Sequence, residues 1–97
     1  MPTYVSLVKW SEQGIQSVKS TVSRTEQVRG QVEKAGGKLV GVWWTQGAYD
    51  LVGVFEMPDD ESFSALALTV ALSGNVRTES MRAYTAEEMQ RIIQKLP

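Results

Sequence analysis

The chain has no cysteine and no histidine. The first absence removes disulfides, thiol nucleophiles and cysteine metal ligands. The second removes imidazole bases, axial haem ligation by histidine and every catalytic triad that runs through that side chain. Only carboxylates, tyrosines, lysines and hydroxyls are left for chemistry. Charge of one sign is also scarce: ten Lys and Arg balance eleven Asp and Glu, for a net charge of -1. The basic residues are scattered rather than striped, so no phosphate-tracking surface is indicated and nucleic acid is not an expected partner. No long apolar run exists. The densest stretch, Ala65 to Leu72, is interrupted by Thr69 and falls far short of the roughly 20 residues that cross a bilayer. The opening Met1-Pro2-Thr3-Tyr4 lacks the basic-then-apolar pattern of a secretory signal, so the expected location is cytoplasmic and no membrane partner is expected. No spaced Asp/Asn loop for calcium appears, and no metal or cofactor is expected.

What is present is an ordinary globular composition, 42% hydrophobic and 22% charged over 97 residues. That length predicts one domain, residues 1–97, able to bury one modest core.

Thr3 to Trp10 reads as a strand with Val5 and Leu7 on one side and Tyr4, Ser6, Val8 and Trp10 on the other. A polar stretch follows, broken by Gly14, with Ile15 and Val18 suggesting one helical turn. Ser23-Arg24-Thr25-Glu26 has the form of a capping box, and Val28, Val32 and Ala35 continue at helical spacing, predicting a helix over 24–35. Gly36-Gly37 ends it. Strands are expected at 38–45 and 49–57, joined by a hairpin at Gln46-Gly47-Ala48. In the second of these, Tyr49, Leu51 and Phe55 alternate with Asp50, Val52, Val54 and Glu56. Pro58-Asp59-Asp60-Glu61 opens a helix over 60–73, its acidic first turn facing the positive end of the helix dipole. A fourth strand at 75–84 is more polar. A second capping box, Thr85 to Glu88, opens a helix over 86–95.

The order βαββαβ plus a C-terminal helix predicts an α+β, ferredoxin-like fold: four antiparallel strands with helices on one face. Both alternation sets of the second and third strands carry large apolar residues, and a sheet covered on one side would leave one set wet. Self-association, at least to a dimer, is therefore expected.

At Gly47-Ala48-Tyr49-Asp50-Leu51-Val52 the sequence resembles the GYD domain family. The likeness extends through Met1-Pro2-Thr3-Tyr4-Val5, Gln13-Gly14-Ile15, Gly36-Gly37-Lys38-Leu39, Pro58-Asp59-Asp60-Glu61, Gly74 to Glu79, and Arg82-Ala83-Tyr84-Thr85 with Glu88. The resemblance implies a relative of the dimeric α/β-barrel group. It implies no single reaction, because that group includes cofactor-free oxygenases, isomerases, haem enzymes and effector-sensing domains. Many of its haem-handling members use an axial histidine, which this chain lacks.

Four residues are candidates for a ligand site: Tyr49, Asp50, Arg77 and Glu79. Asp50 reads either as a base or ligand acceptor beside Tyr49, or as an anchor that bonds backbone N–H groups at the turn. Arg77 reads either as an anion clamp or as an ion-pair partner of Glu79. The expected geometry converges these residues over the first strand, with Tyr4, Ser6, Val8 and Trp10 as a wall. Trp43 and Trp44, as strand neighbours, point to opposite faces, one under the helices and the other to the open face, where a subunit contact or a planar ligand would meet it. Three function classes stay open: a self-associating domain binding a small organic ligand between subunits, a cofactor-independent enzyme, and a purely structural protein.

Overall fold

The computed structural model describes residues 1–97. Four strands form one antiparallel sheet: β1 (Thr3–Trp10), β2 (Lys38–Trp44), β3 (Leu51–Glu56) and β4 (Val76–Ala83), in the order β2-β3-β1-β4. This is the expected ferredoxin-like arrangement. The helices are α1 (Glu12–Gln16), α2 (Thr21–Lys34), α3 (Asp60–Leu72) and α4 (Ala86–Ile93), with a 3₁₀ turn at Val18–Ser20.

The register fixes which side chains share a face, because directly opposed residues point the same way. Tyr4 lies opposite Phe55 and Arg82, and Ser6 opposite Gly53 and Ser80; these point toward α2 and α3. Leu7 lies opposite Val52 and Glu79, and Lys9 opposite Arg77; these point to the uncovered face. The core is concentrated at one end of the helix side, where Tyr4, Val32, Leu39, Phe55, Met57 and Phe63 are buried together with Leu66. Tyr4 stacks flat on Phe63, with ring centroids 4.1 Å apart, and donates its hydroxyl to Asp60.

α2 begins three residues before the expected position, and Ser23 is not its cap. The hydroxyls of Ser20, Ser23 and Thr25 donate back to the carbonyls of Ser17, Ser20 and Thr21, which keeps them within the turn. Glu26 pairs with Arg29 at 3.3 Å instead of reaching back. The starts of α3 and α4 match their signatures. Asp59 accepts from the Ser62 N–H at 2.7 Å, which holds its carboxyl below the ordinary range. Thr85 and Glu88 form a complete capping box. At the end of α2, the Gly36 N–H bonds the Glu33 carbonyl and the Gly37 N–H bonds the Val32 carbonyl, with Gly36 at φ 85°.

α1 is latched to the turn between α3 and β4. Ser11 N–H donates to the Asn75 carbonyl at 3.0 Å, and the Gln13 amide donates to Ser73 O at 3.0 Å and Asn75 Oδ1 at 2.9 Å. Gly14 is buried in this latch. A Cβ there would stand 1.9 Å from the Asn75 carbonyl oxygen, whereas a Cβ on Gly30 in α2 would meet nothing within 4 Å.

α4 stands off from the domain. No other helix or strand packs extensively against it, and the radius of gyration is 14.6 Å, against about 12.5 Å expected for a compact chain of this length.

Two outcomes follow from this packing. Gly14→Ala should destabilise by about 1–3 kcal/mol through backbone overlap, while Gly30→Ala should stabilise by roughly 0.5–1 kcal/mol as an exposed helix-interior change; urea denaturation of the two variants checks both. Burial, then the bond to Asp60, pushes the Tyr4 phenol up to about 12 from an ordinary 10.0. Because the folded value is raised, the stabilisation is complete below pH about 10 and is lost as pH rises toward 12. Comparing denaturation midpoints of the parent and Tyr4→Phe over that window should show a steeper decline in the parent than in the variant.

Candidate functional site

Asp50 and Tyr49 lie in the β2–β3 loop, not in the strand that was expected to begin at 49. Asp50 extends the sheet's hydrogen bonding from that loop: its N–H donates to Val8 O at 2.8 Å, its carbonyl accepts from Thr45 N–H at 2.9 Å, and its carboxylate Oδ2 accepts from Trp10 N–H at 2.9 Å. The aspartate thus ties the loop to the end of β1.

Tyr49 takes the other direction. Its hydroxyl donates to Glu79 Oε2 at 3.0 Å, across β1 to β4, and its ring carries the Lys9 ammonium 5.2 Å from the centroid. The bond to Glu79 raises the Tyr49 phenol above its ordinary value. Arg77 lies on the same face opposite Lys9 and takes part in none of the ion pairs. Tyr49 and Glu79 are therefore brought together, Arg77 lies alongside, and Asp50 is occupied elsewhere. Tyr4, Ser6, Val8 and Trp10 do not form their wall. The direct pairing of Leu7 with Glu79 and Lys9 with Arg77 sets those four on the helix side, behind the sheet.

The face that carries Tyr49, Arg77 and Glu79 is otherwise apolar at its centre. Val5, Leu7, Val52 and Val54 are half-buried there with no helix over them. Trp43 lies across Gly41 on the same face, so close that a Cβ on Gly41 would stand 2.5 Å from the indole, and it remains 56% exposed. Trp44 points the opposite way, and its indole N–H donates to Thr21 Oγ1 at 3.1 Å.

A second feature was not among the expected sites. On the helix side, a cavity of about 130 Å³ lies between α2 and α3 over β1 and β3. Ser6, Val8 and Gly53 lie beneath it, Val28 lines it from α2, and Ala67 and Val70 from α3. The only charged residue on its lining is Arg24. The sequence did carry a sign of this space: the inward positions Ser6, Gly53, Ala67, Thr78 and Ser80 are all small.

Asp50→Ala should cost about 1–3 kcal/mol, since it leaves the Trp10 N–H without its acceptor. Asp50→Asn keeps an oxygen there and should cost less. Tyr49→Phe, at an exposed bond, should stay within about 0.5 kcal/mol. Equilibrium urea denaturation of the three variants ranks them.

The GYD domain family model matches residues 4–93. A relative from Thermus thermophilus, named "Glutamine synthetase and cystathionine beta-lyase binding protein", is 26% identical over 90 residues, covering 92% of this chain and 95% of its own length. The crystal structure of TTHA0845, also from Thermus thermophilus, superposes with a TM-score of 0.56 at 23% identity, covering 89% of this chain and 96% of that one, a likeness of fold. With Gly47, Tyr49 and Asp50 in the loop that ties β3 to β1, and a match spanning the sheet and all four helices, the chain belongs to the GYD domain family.

Proposed function

We propose that this domain is a self-associating binding module whose open sheet face closes on the same face of a second copy. One observation carries the reading. The uncovered side of the sheet has an apolar centre, Val5, Leu7, Val52 and Val54, flanked by exposed Trp43 and Met81, while Lys9, Arg77, Lys38 and Glu56 lie toward the ends of the strands. An apolar, aromatic- and Met-bearing centre within a charged rim is the anatomy of a protein interface. Soluble chains rarely leave such a patch wet. A patch that faces itself across a two-fold axis needs no second design, because each copy supplies both halves of the contact.

The face also argues against a catalytic role for the four candidate residues. Tyr49, Arg77 and Glu79 stand on the rim of a flat surface, and Asp50 is committed to Trp10. A small ligand held between subunits by Tyr49, Arg77 and Glu79 remains compatible with this arrangement, since pairing would cover them.

A role in binding other proteins is supported by two things. The Thermus relative is named for binding two enzymes. α4 projects from the domain with Met89, Ile93 and the following Leu96 exposed, an amphipathic surface of the kind that docks in grooves.

Sedimentation tests the reading. The parent should run at no less than twice 10.8 kDa at micromolar concentration. Val54→Lys, which places a charge at the centre of the face, should run as a folded monomer with unchanged far-UV circular dichroism. A parent that sediments as a monomer overturns the proposal.

A further inference from the structure

The cavity between α2 and α3 has a chemistry that self-association does not explain. It lies on the opposite side of the sheet from the proposed interface, and its walls are mainly apolar: Val8 from β1, Val28 from α2, Val42 from β2, Ala67 and Val70 from α3. Below it, the Ser6 and Ser80 hydroxyls hydrogen-bond each other at 2.8 Å, so the two polar groups of the floor are turned toward one another. At about 130 Å³ the space is close to one six-membered ring; an engineered apolar cavity of about 150 Å³ takes up benzene.

Arg24 adds the second half of the argument. It is the sole charged residue lining the cavity, and no carboxylate pairs with it. Its acceptors are all neutral. Nη1 reaches Ser17 O at 3.0 Å, Ser17 Oγ at 2.7 Å and Ser20 Oγ at 3.0 Å, and Nη2 reaches only Gly14 O, at 3.5 Å. These bonds fix the guanidinium at the edge of the cleft through Nη1 and leave donors on Nη2 and Nε underused. A fixed, half-buried cation without a counter-charge, beside a ring-sized apolar space, is complementary to a small ring that bears one anionic group. A guanidinium binds a carboxylate through a planar fork, and the apolar walls gain by covering the ring.

We infer that the α2–α3 cleft is a binding site for a small monocyclic carboxylate, its ring between Ala67, Val70 and Val8 and its carboxylate on Arg24. The inference is independent of self-association and can be measured equally on the Val54→Lys variant.

The experiment uses benzoate and its neutral isostere benzamide as probes, each titrated into ¹⁵N-labelled protein. Benzoate should shift the amide signals of Gly53, Ala67 and Val70. It should bind roughly tenfold or more tighter than benzamide, the worth of one charge-assisted hydrogen bond. Arg24→Gln should erase the difference between the two probes. Ala67→Leu, which fills the cleft, should abolish binding of both while leaving the fold intact. The inference is overturned if neither probe shifts those signals, if the two bind the parent equally, or if Ala67→Leu binds as the parent does. Should Arg24→Gln fail to fold, because it also loses the Ser17 and Ser20 bonds, the benzoate–benzamide comparison on the parent and the Ala67→Leu result still decide.

Discussion

The stack of Tyr4 on Phe63 fixes the rest of the molecule. Tyr4 sits on a central strand, its ring lies flat against α3 at 4.1 Å, and its hydroxyl reaches Asp60 in the first turn of that helix. Phe55 meets Phe63 edge-on from β3 at 5.9 Å, so the contact joins both central strands to α3. The aromatic faces supply buried area, and the phenol O–H has a hydrogen-bond partner in Asp60 at the edge of the core, which is the condition for burying a tyrosine ring. α3 is thereby held hard at its N-terminal end. Val32, Leu39 and Met57 hold the C-terminal end of α2 beside it. Both helices are thus anchored over the same end of the sheet. At the other end nothing equivalent clamps them, so Val8, Val42, Val70 and Val76 are only half-buried, and the cleft opens there. The cleft follows from where the large side chains are placed along the strands.

Alternation along β1 then divides the molecule's chemistry between two sides. Tyr4 and Ser6 face the core and the cleft, while Val5, Leu7 and Lys9 face outward with Val52, Val54 and Arg77. The GYD segment lies where the sides meet. Asp50 joins the backbone ladder at Trp10, and Tyr49 crosses over the open face to Glu79. Gln13, Gly14 and Asn75 are similarly structural: they form the latch that closes α1 against the α3–β4 turn. Several residues by which the sequence resembles its family therefore act through backbone geometry, which explains why the resemblance is strong while the chemistry it implies is open.

The antiparallel sheet and the starts of α3 and α4 were legible because they rest on local signals: alternation, Gly turns, and the Asp59 and Thr85 caps. The start of α2 was not. Ser23 and Glu26 satisfy the capping-box spacing, but the preceding Ser17–Ser20 turn already winds the chain into the helix, and a spacing rule does not see a turn that comes earlier. The position of Tyr49 was also lost, because alternation was carried two residues past the true beginning of β3 at Leu51. Assigning the wall residues failed for a different reason. Which face β1 shares with Glu79 depends on register between strands more than sixty residues apart, and a shift of one residue exchanges the faces. The pairing of Trp43 and Trp44 with opposite faces needed no such register, and it was readable from adjacency alone.

Few residues of the single chain are buried, 11 of 97, and several of those are glycine or serine with no apolar side chain to contribute. A domain of this size gains only a narrow margin over the conformational entropy it loses. Here part of the apolar surface that would widen that margin lies on the outer face, at Val5, Leu7, Val52, Val54 and Trp43. Covering a residue of that kind is worth on the order of 1 kcal/mol for each roughly 40 Å² of apolar surface removed from water. Under the proposed pairing, that gain arises only between chains, so assembly adds to the stability of a chain that already folds, and the total depends on the domain's own concentration. Helix-side and open-side residues alternate along the same two strands, so any ordering of the sheet by association is also felt under α2 and α3. The cleft is the least filled part of the inner layer. It is the place where a stiffer sheet, or a bound ring, would each reduce the same freedom.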